Sequence, residues 1–230
     1  MKKIRKPEKP DAARCKVIAC ATVLEEMLPL MPPGLKYQRL EFGLHNEPDK
    51  LKKSLQEAID AAEPEITTIL LGYGLCSRAV TGLKSDSRTL VIPKIDDCIG
   101  IFLGSAEAYN QQHRREPGTL YYTKGWVEAN DNPYDQMGDL VKKYGEARAR
   151  SYLKTLLKNY TRLVFINTGN YEIDYYRERT RTAAAELNLR YEEIKGSNAL
   201  IKKLLSGEWD EDFVIAPPGK AISFLDFKGG

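Results

Sequence analysis

Short apolar runs alternate with amphipathic stretches through the first half of the chain, and this alternation is what most restricts its fold. "KVIACA", "LKYQRLEFGL", "ITTILLGYG" and "RTLVIPK" read as four strands. Between the first two lies a short helix around Leu24, Met27 and Leu28, stopped by Pro29 and the Pro32-Pro33 pair. "NEPDKLKKSLQEAIDAAE" is a longer one, with Asn46 as its cap, Pro48 in its first turn and Leu51, Leu55, Ala58 and Ile59 on one face. "DDCIGIFLGSAEAYNQQH" predicts a helix after strand four, with an aspartate cap and Ile99, Phe102, Leu103, Ala106 and Tyr109 turned inward. Strands separated by helices need crossover connections, which build a parallel, doubly wound sheet.

The pattern breaks at "GTLYYTKGWVEANDNPYDQMG", which holds a strand over 120–123 and then a loop rich in Gly, Asn, Asp and Pro. Helical stretches follow around 134–145 and 148–159. "RLVFINTGN", "RYEEIKG" and "DFVIAPPGKAISF" then read as strands, with helices in "EIDYYRERTRTAAAELN" and "NALIKKLLSG" between them. The expected fold is α/β: two Rossmann-like doubly wound lobes with mainly parallel sheets. Residues 1–14 form a flexible lead-in, 15–117 an N-terminal lobe, and 118–230 a linker and C-terminal lobe.

All four cysteines of the 230-residue chain, Cys15, Cys20, Cys76 and Cys98, lie in its first 98 residues. Three of them follow strands: Cys20 the first, Cys76 the third, Cys98 the fourth. His45 follows the second. Ligands of doubly wound sheets bind beyond the carboxyl ends of the strands, where strand order reverses. A sheet ordered 2-1-3-4, with neighbours about 4.8 Å apart, places all four residues on one rim. Thiolates are soft ligands suited to iron–sulfur clusters and zinc, so Cys20, Cys76 and Cys98 are candidate metal ligands. They leave one coordination position open, or His45 fills it; His45 reads equally as a helix cap. Buried cysteines also pack as small hydrophobes, the reading preferred for Cys15. A helix start at Cys98 predicts a lowered thiol pKa.

Gly72 and Gly74 bracket Tyr73 straight after strand three, where glycine lets backbone approach a bound cofactor. Tyr73 reads as lining that site or as packing. Glu25 and Glu26 read as a solvated face, Asp96 and Asp97 as helix caps, and His113 as part of a solvated helix end. Asn167, Thr168 and Gly169 form a strand-to-helix loop of the kind that holds small polar ligands.

Several functions lack their signature. "PPGKAIS" is not a phosphate-binding loop, and no G-x-G-x-x-G follows strand one. "GYGLC" is not G-x-S-x-G, and no D-x-H-x-x-G corrinoid-ligating motif occurs. A net charge of +3 argues against nucleic acid, and no apolar run is long enough to span a membrane. No secretory signal opens the sequence, which predicts a reducing cytoplasm.

"LHNEPDKL", "LLGYGLCSRAVTGL", "IPKIDDCIGIFLGSAEAY" and "GTLYYTKGW" together resemble an uncharacterised family, domain of unknown function 1638. The matching residues include Asn46, Gly72, Tyr73, Gly74, Cys76, Gly82, Asp97, Cys98, Gly104, Gly125 and Trp126. The resemblance covers nearly the whole chain and implies anaerobic archaea and bacteria. Its genes often lie beside corrinoid-dependent methyltransferases; it supplies no catalytic assignment. The expected function is a metal- or iron–sulfur-binding protein of anaerobic one-carbon metabolism. Its three-cysteine site is open to a small substrate, and an iron–sulfur cluster ranks ahead of zinc. The alternatives are a non-enzymatic accessory to corrinoid methyltransferases, with a corrinoid or methyltransferase protein as partner, and a two-lobed small-molecule binding protein.

Overall fold

A computed structural model describes residues 11–129 and 132–228. The chain divides into two compact units, Met1–Ala106 with Ser197–Gly230, and Glu107–Gly196.

In the first unit β1 (Cys15–Cys20) leads into α1 (Ala21–Met27), β2 (Lys36–Leu40) and α2 (Pro48–Asp60). Then come β3 (Thr68–Gly72), β4 (Thr89–Pro93) and α3 (Cys98–Leu103). β1 is buried along its full length, and β3 and β4 bury an unbroken apolar run, which is what a strand covered on both faces requires. α2 lays Leu51, Leu55, Ala58 and Ile59 into this core. Its start differs from expectation: Glu47 is the cap residue, and Asn46 ends a 3-10 turn over Phe42–Asn46.

The second unit holds nearly all of α4 (Ala106–Arg115), then β5 (Thr119–Tyr122), α5 (Lys124–Glu128), α6 (Pro133–Tyr144) and α7 (Glu146–Leu156). β6 (Arg162–Asn167), α8 (Asp174–Glu186) and β7 (Arg190–Lys195) complete it. Its sheet is parallel in the order β5-β6-β7. Tyr122, Val127, Leu163, Ala183 and Ala184 are its buried centre. At the sheet's amino end Arg162 is completely buried, its guanidinium donating to Thr119, Glu192 and Gln112.

The chain then returns. α9 (Ala199–Ser206) and β8 (Phe213–Ala216) belong to the first unit, whose sheet runs β2-β1-β3-β4-β8. The first four strands are parallel and in the expected 2-1-3-4 order, so the mixed α/β class with mostly parallel sheets is as the sequence indicates. Two expectations are corrected. The second lobe is Glu107–Gly196 rather than 118–230, because β8 pairs antiparallel with β4, Leu90 opposite Ala216 and Pro93 opposite Phe213. The single helix expected after Cys98 is two, because Gly104 ends α3 in a left-handed conformation at φ 85°.

No helix among the described residues is long and apolar enough to cross a membrane. The proposed flexible lead-in lies largely outside the described residues; Cys15, which follows it, is a buried strand residue.

Candidate functional site

Strand order in the first sheet reverses at β1, which has β2 on one side and β3 on the other. Three cysteines follow the carboxyl ends of neighbouring strands. Cys20 is the last residue of β1 and precedes α1; its Sγ lies 3.5 Å from Thr22 Oγ1. Cys76 follows β3, and Cys98 is the first residue of α3 after β4.

The loops after β3 and β4 are clamped together. The Leu75 N–H donates to the Ile95 carbonyl at 2.8 Å, and the Cys76 N–H to the Asp96 carbonyl at 2.9 Å. This approach explains Gly74: a Cβ there would stand 2.8 Å from Ile95 O. Gly72 is held as tightly on its other side, where a Cβ would meet that of Ala19 at 2.6 Å. Packing against neighbouring protein therefore requires glycine at both positions.

Past Leu75 the backbone turns left-handed for three consecutive residues, Cys76, Ser77 and Arg78, at φ 44°, 54° and 69°. None is glycine. A left-handed L-residue costs about 1–2 kcal/mol, so the turn is held against its own preference. What holds it is visible: the clamp at Cys76, the Ala79 N–H donating to the Cys76 carbonyl, and Arg78 lying 4.4 Å over the Phe224 ring.

The electrostatics oppose one expectation. Burial first, and then the Asp97 carboxylate and the neighbouring thiols, push Cys98 well above the ordinary thiol value. Its place at the start of α3 does not make it a thiolate, because a helix of six residues buried beside an aspartate offers little compensating potential. Cys76 is pushed up to about 12, by burial first, with Asp97 and Cys20 adding to it and the Gly74 N–H opposing. Asp97 also caps α3, its Oδ1 accepting from the Ile99 N–H at 2.9 Å. Both shifts favour the protonated form of Cys76 and Cys98.

Tyr73 belongs to the same place. It is buried, its hydroxyl has no hydrogen-bond partner among the described residues, and burial first, with smaller contributions from Cys20, Cys76 and Cys98, pushes its phenol above the ordinary range. Its flanking glycines were the signal available in the sequence.

Other candidates lie elsewhere or do something else. His45 Nδ1 is 2.5 Å from the Phe42 carbonyl oxygen and its ring packs 4.5 Å from that of Phe42, so it braces its own turn. Cys15 is buried in β1, where burial raises its thiol pKa. His113 is exposed on α4. Glu26 is not on a solvated face as expected; it is fully buried within α1. Asn167 spans from the Gly169 N–H to Glu193, a bracing role in the second unit. Among the described residues, no group of three or more His, Cys, Asp or Glu is arranged to hold a metal ion.

A family model described as a protein of unknown function, DUF1638, matches residues 39–205. The chain belongs to this family. The DUF1638 match takes in Tyr73, Cys76, Asp97 and Cys98, while Cys20 precedes it. No curated protein and no solved structure matches the chain.

Proposed function

We propose that the carboxyl-end rim of the first sheet binds a soft metal centre through Cys20, Cys76 and Cys98, with an open position for a small substrate. One observation supports this above others: three thiols leave three adjacent strands of the sheet whose strand order reverses at β1. Sulfur-only donors favour an iron–sulfur cluster or zinc. An oxygen-poor setting, implied by the family resemblance, ranks the cluster first. A bound cation would act there as a Lewis acid toward whatever occupies the open position.

The reading asks something of the chain. Among the described residues no three donors stand ready around one point, so the thiols must close in on loading, and each one that binds must release its proton. The left-handed 76–78 turn is the segment whose rearrangement would relieve strain. A cytoplasmic role in one-carbon metabolism, with a sulfur- or methyl-bearing substrate and a corrinoid or methyltransferase protein as partner, rests on the resemblance alone.

Anaerobic purification followed by visible absorption and metal analysis tests the site. Cys76→Ser should lose most bound metal and keep the wild-type fold by circular dichroism, while Cys15→Ser should change metal content little. Equal metal in all variants, or none in the wild type, would sink the reading.

A further inference from the structure

Residues 133–158, which form α6 and α7 and end just past them, carry six basic side chains against three acidic ones. Their net +3 equals the net charge of the whole chain. Three of the six cations, Arg150, Lys154 and Lys158, stand four residues apart, so successive turns bring them to one side. Complementing the carboxyl end of α7 takes one cation in its last turn, and Lys154 is there; the row extends a turn to either side. Arg150 is held by Glu146 at 3.0 Å, whereas Lys154 and Lys158 have no acidic partner among the described residues.

This row edges a cavity of about 430 Å³ inside the second unit, a size within the roughly 300–1,000 Å³ usual for small-molecule sites. Leu153 and Leu157 of the same helix line it and are buried. The end of α8 supplies the facing wall. There Asn188 turns left-handed at φ 55°, and the Leu189 N–H donates back to the Ala184 carbonyl at 2.8 Å. That turn brings Leu187 and Leu189 into the lining, with Glu186 as its acid. We propose that this cavity binds a small organic anion with an apolar body, a medium-chain carboxylate in class. The chain lies on the leucines, and the carboxylate meets Lys154 and Lys158, away from Glu186. A second copy of the chain would bring the same excess of positive charge to this face and be repelled by it.

The test is calorimetric titration of decanoate, decanol and acetate into the full chain, with oligomeric state followed by size-exclusion chromatography. Decanoate should bind at one site per chain and weaken as salt screens the exposed lysines. Decanol lacks the charge and acetate the apolar body, so both should bind more weakly. Lys154→Glu with Lys158→Glu, at exposed positions outside the core, should weaken decanoate about fivefold or more. Lys142→Glu with Lys143→Glu makes the same change of charge at exposed positions outside the lining and should leave affinity within about twofold. Glu186→Gln should tighten binding. No decanoate binding below about 1 mM, equal loss in the two double variants, or acetate binding as tightly as decanoate overturns the proposal. A wild-type dimer that dissociates in Lys154→Glu with Lys158→Glu assigns the cavity to a second copy and overturns it too.

Discussion

A methyl group added at Gly74 would press on a backbone carbonyl, that of Ile95, which cannot rotate away as a side chain can. Overpacking of this kind costs about 1–3 kcal/mol. Gly74→Ala should therefore lower the urea midpoint of unfolding by a corresponding amount, whereas a substitution at the open position of Gly43 should not. The thiols set a second residue-scale expectation. The native chain holds Cys76 up to about 12 against an ordinary value of 9.0. Between those values the unfolded chain has released a proton that the folded chain keeps, so stability falls as pH rises through this window and is unaffected below it. Urea midpoints of reduced, metal-free protein should decline from about pH 9 upward, and Cys76→Ser should flatten that decline. If the variant's curve runs parallel to that of wild type, the thiol is not held neutral.

At the scale of elements, Gly104 carries two constraints at once. Its left-handed φ costs an alanine about 1–2 kcal/mol, and a Cβ there would sit 2.5 Å from Ser197 Cβ, where the returning chain donates from the Ser197 N–H to the Phe102 carbonyl. Gly104→Ala should destabilise, and adding Ser197→Gly should recover the steric part but not the backbone part. The double variant should then be less destabilised than the sum of the singles; strict additivity would mean that the two positions do not press on each other. Strands, helices and the order of the first four strands were legible in the sequence because apolar runs and amphipathic faces are local signals. Gly104 was passed over because one glycine inside a helical pattern is common. The left-handed turn was hidden because "CSR" contains no residue that favours it. The buried Glu26 was missed because two adjacent acids on a short helix ordinarily face water. The strand-end positions of Cys20, Cys76 and Cys98 were legible because they depend only on strands correctly placed; the raised thiol pKa of Cys76 and Cys98 was not, because burial is a property of the assembled fold.

For the whole molecule, the unexpected feature is β8. "DFVIAPP" reads as a strand, yet nothing local says which sheet it joins or in which direction. It covers the edge of β4 and buries Phe213, Val214 and Ala216 there. A chain cut after residue 196 would leave that edge open and apolar, a template for association. Such a truncation should lose cooperative unfolding or aggregate, as read by calorimetry and size-exclusion chromatography. A truncated chain that stays monomeric and melts with the wild-type midpoint would show β8 to be dispensable.

That last strand also imposes a schedule on biosynthesis. The three thiols leave the ribosome within the first 98 residues, but the strand that closes their sheet follows more than a hundred residues later. At about 5–20 residues per second, the half-built sheet waits on the order of ten seconds. Glu107–Gly196 is contiguous and emerges whole during that wait. For that interval the β4 edge is open to chaperones, and Cys20, Cys76 and Cys98 are more accessible to a metal donor or an oxidant than at any later time.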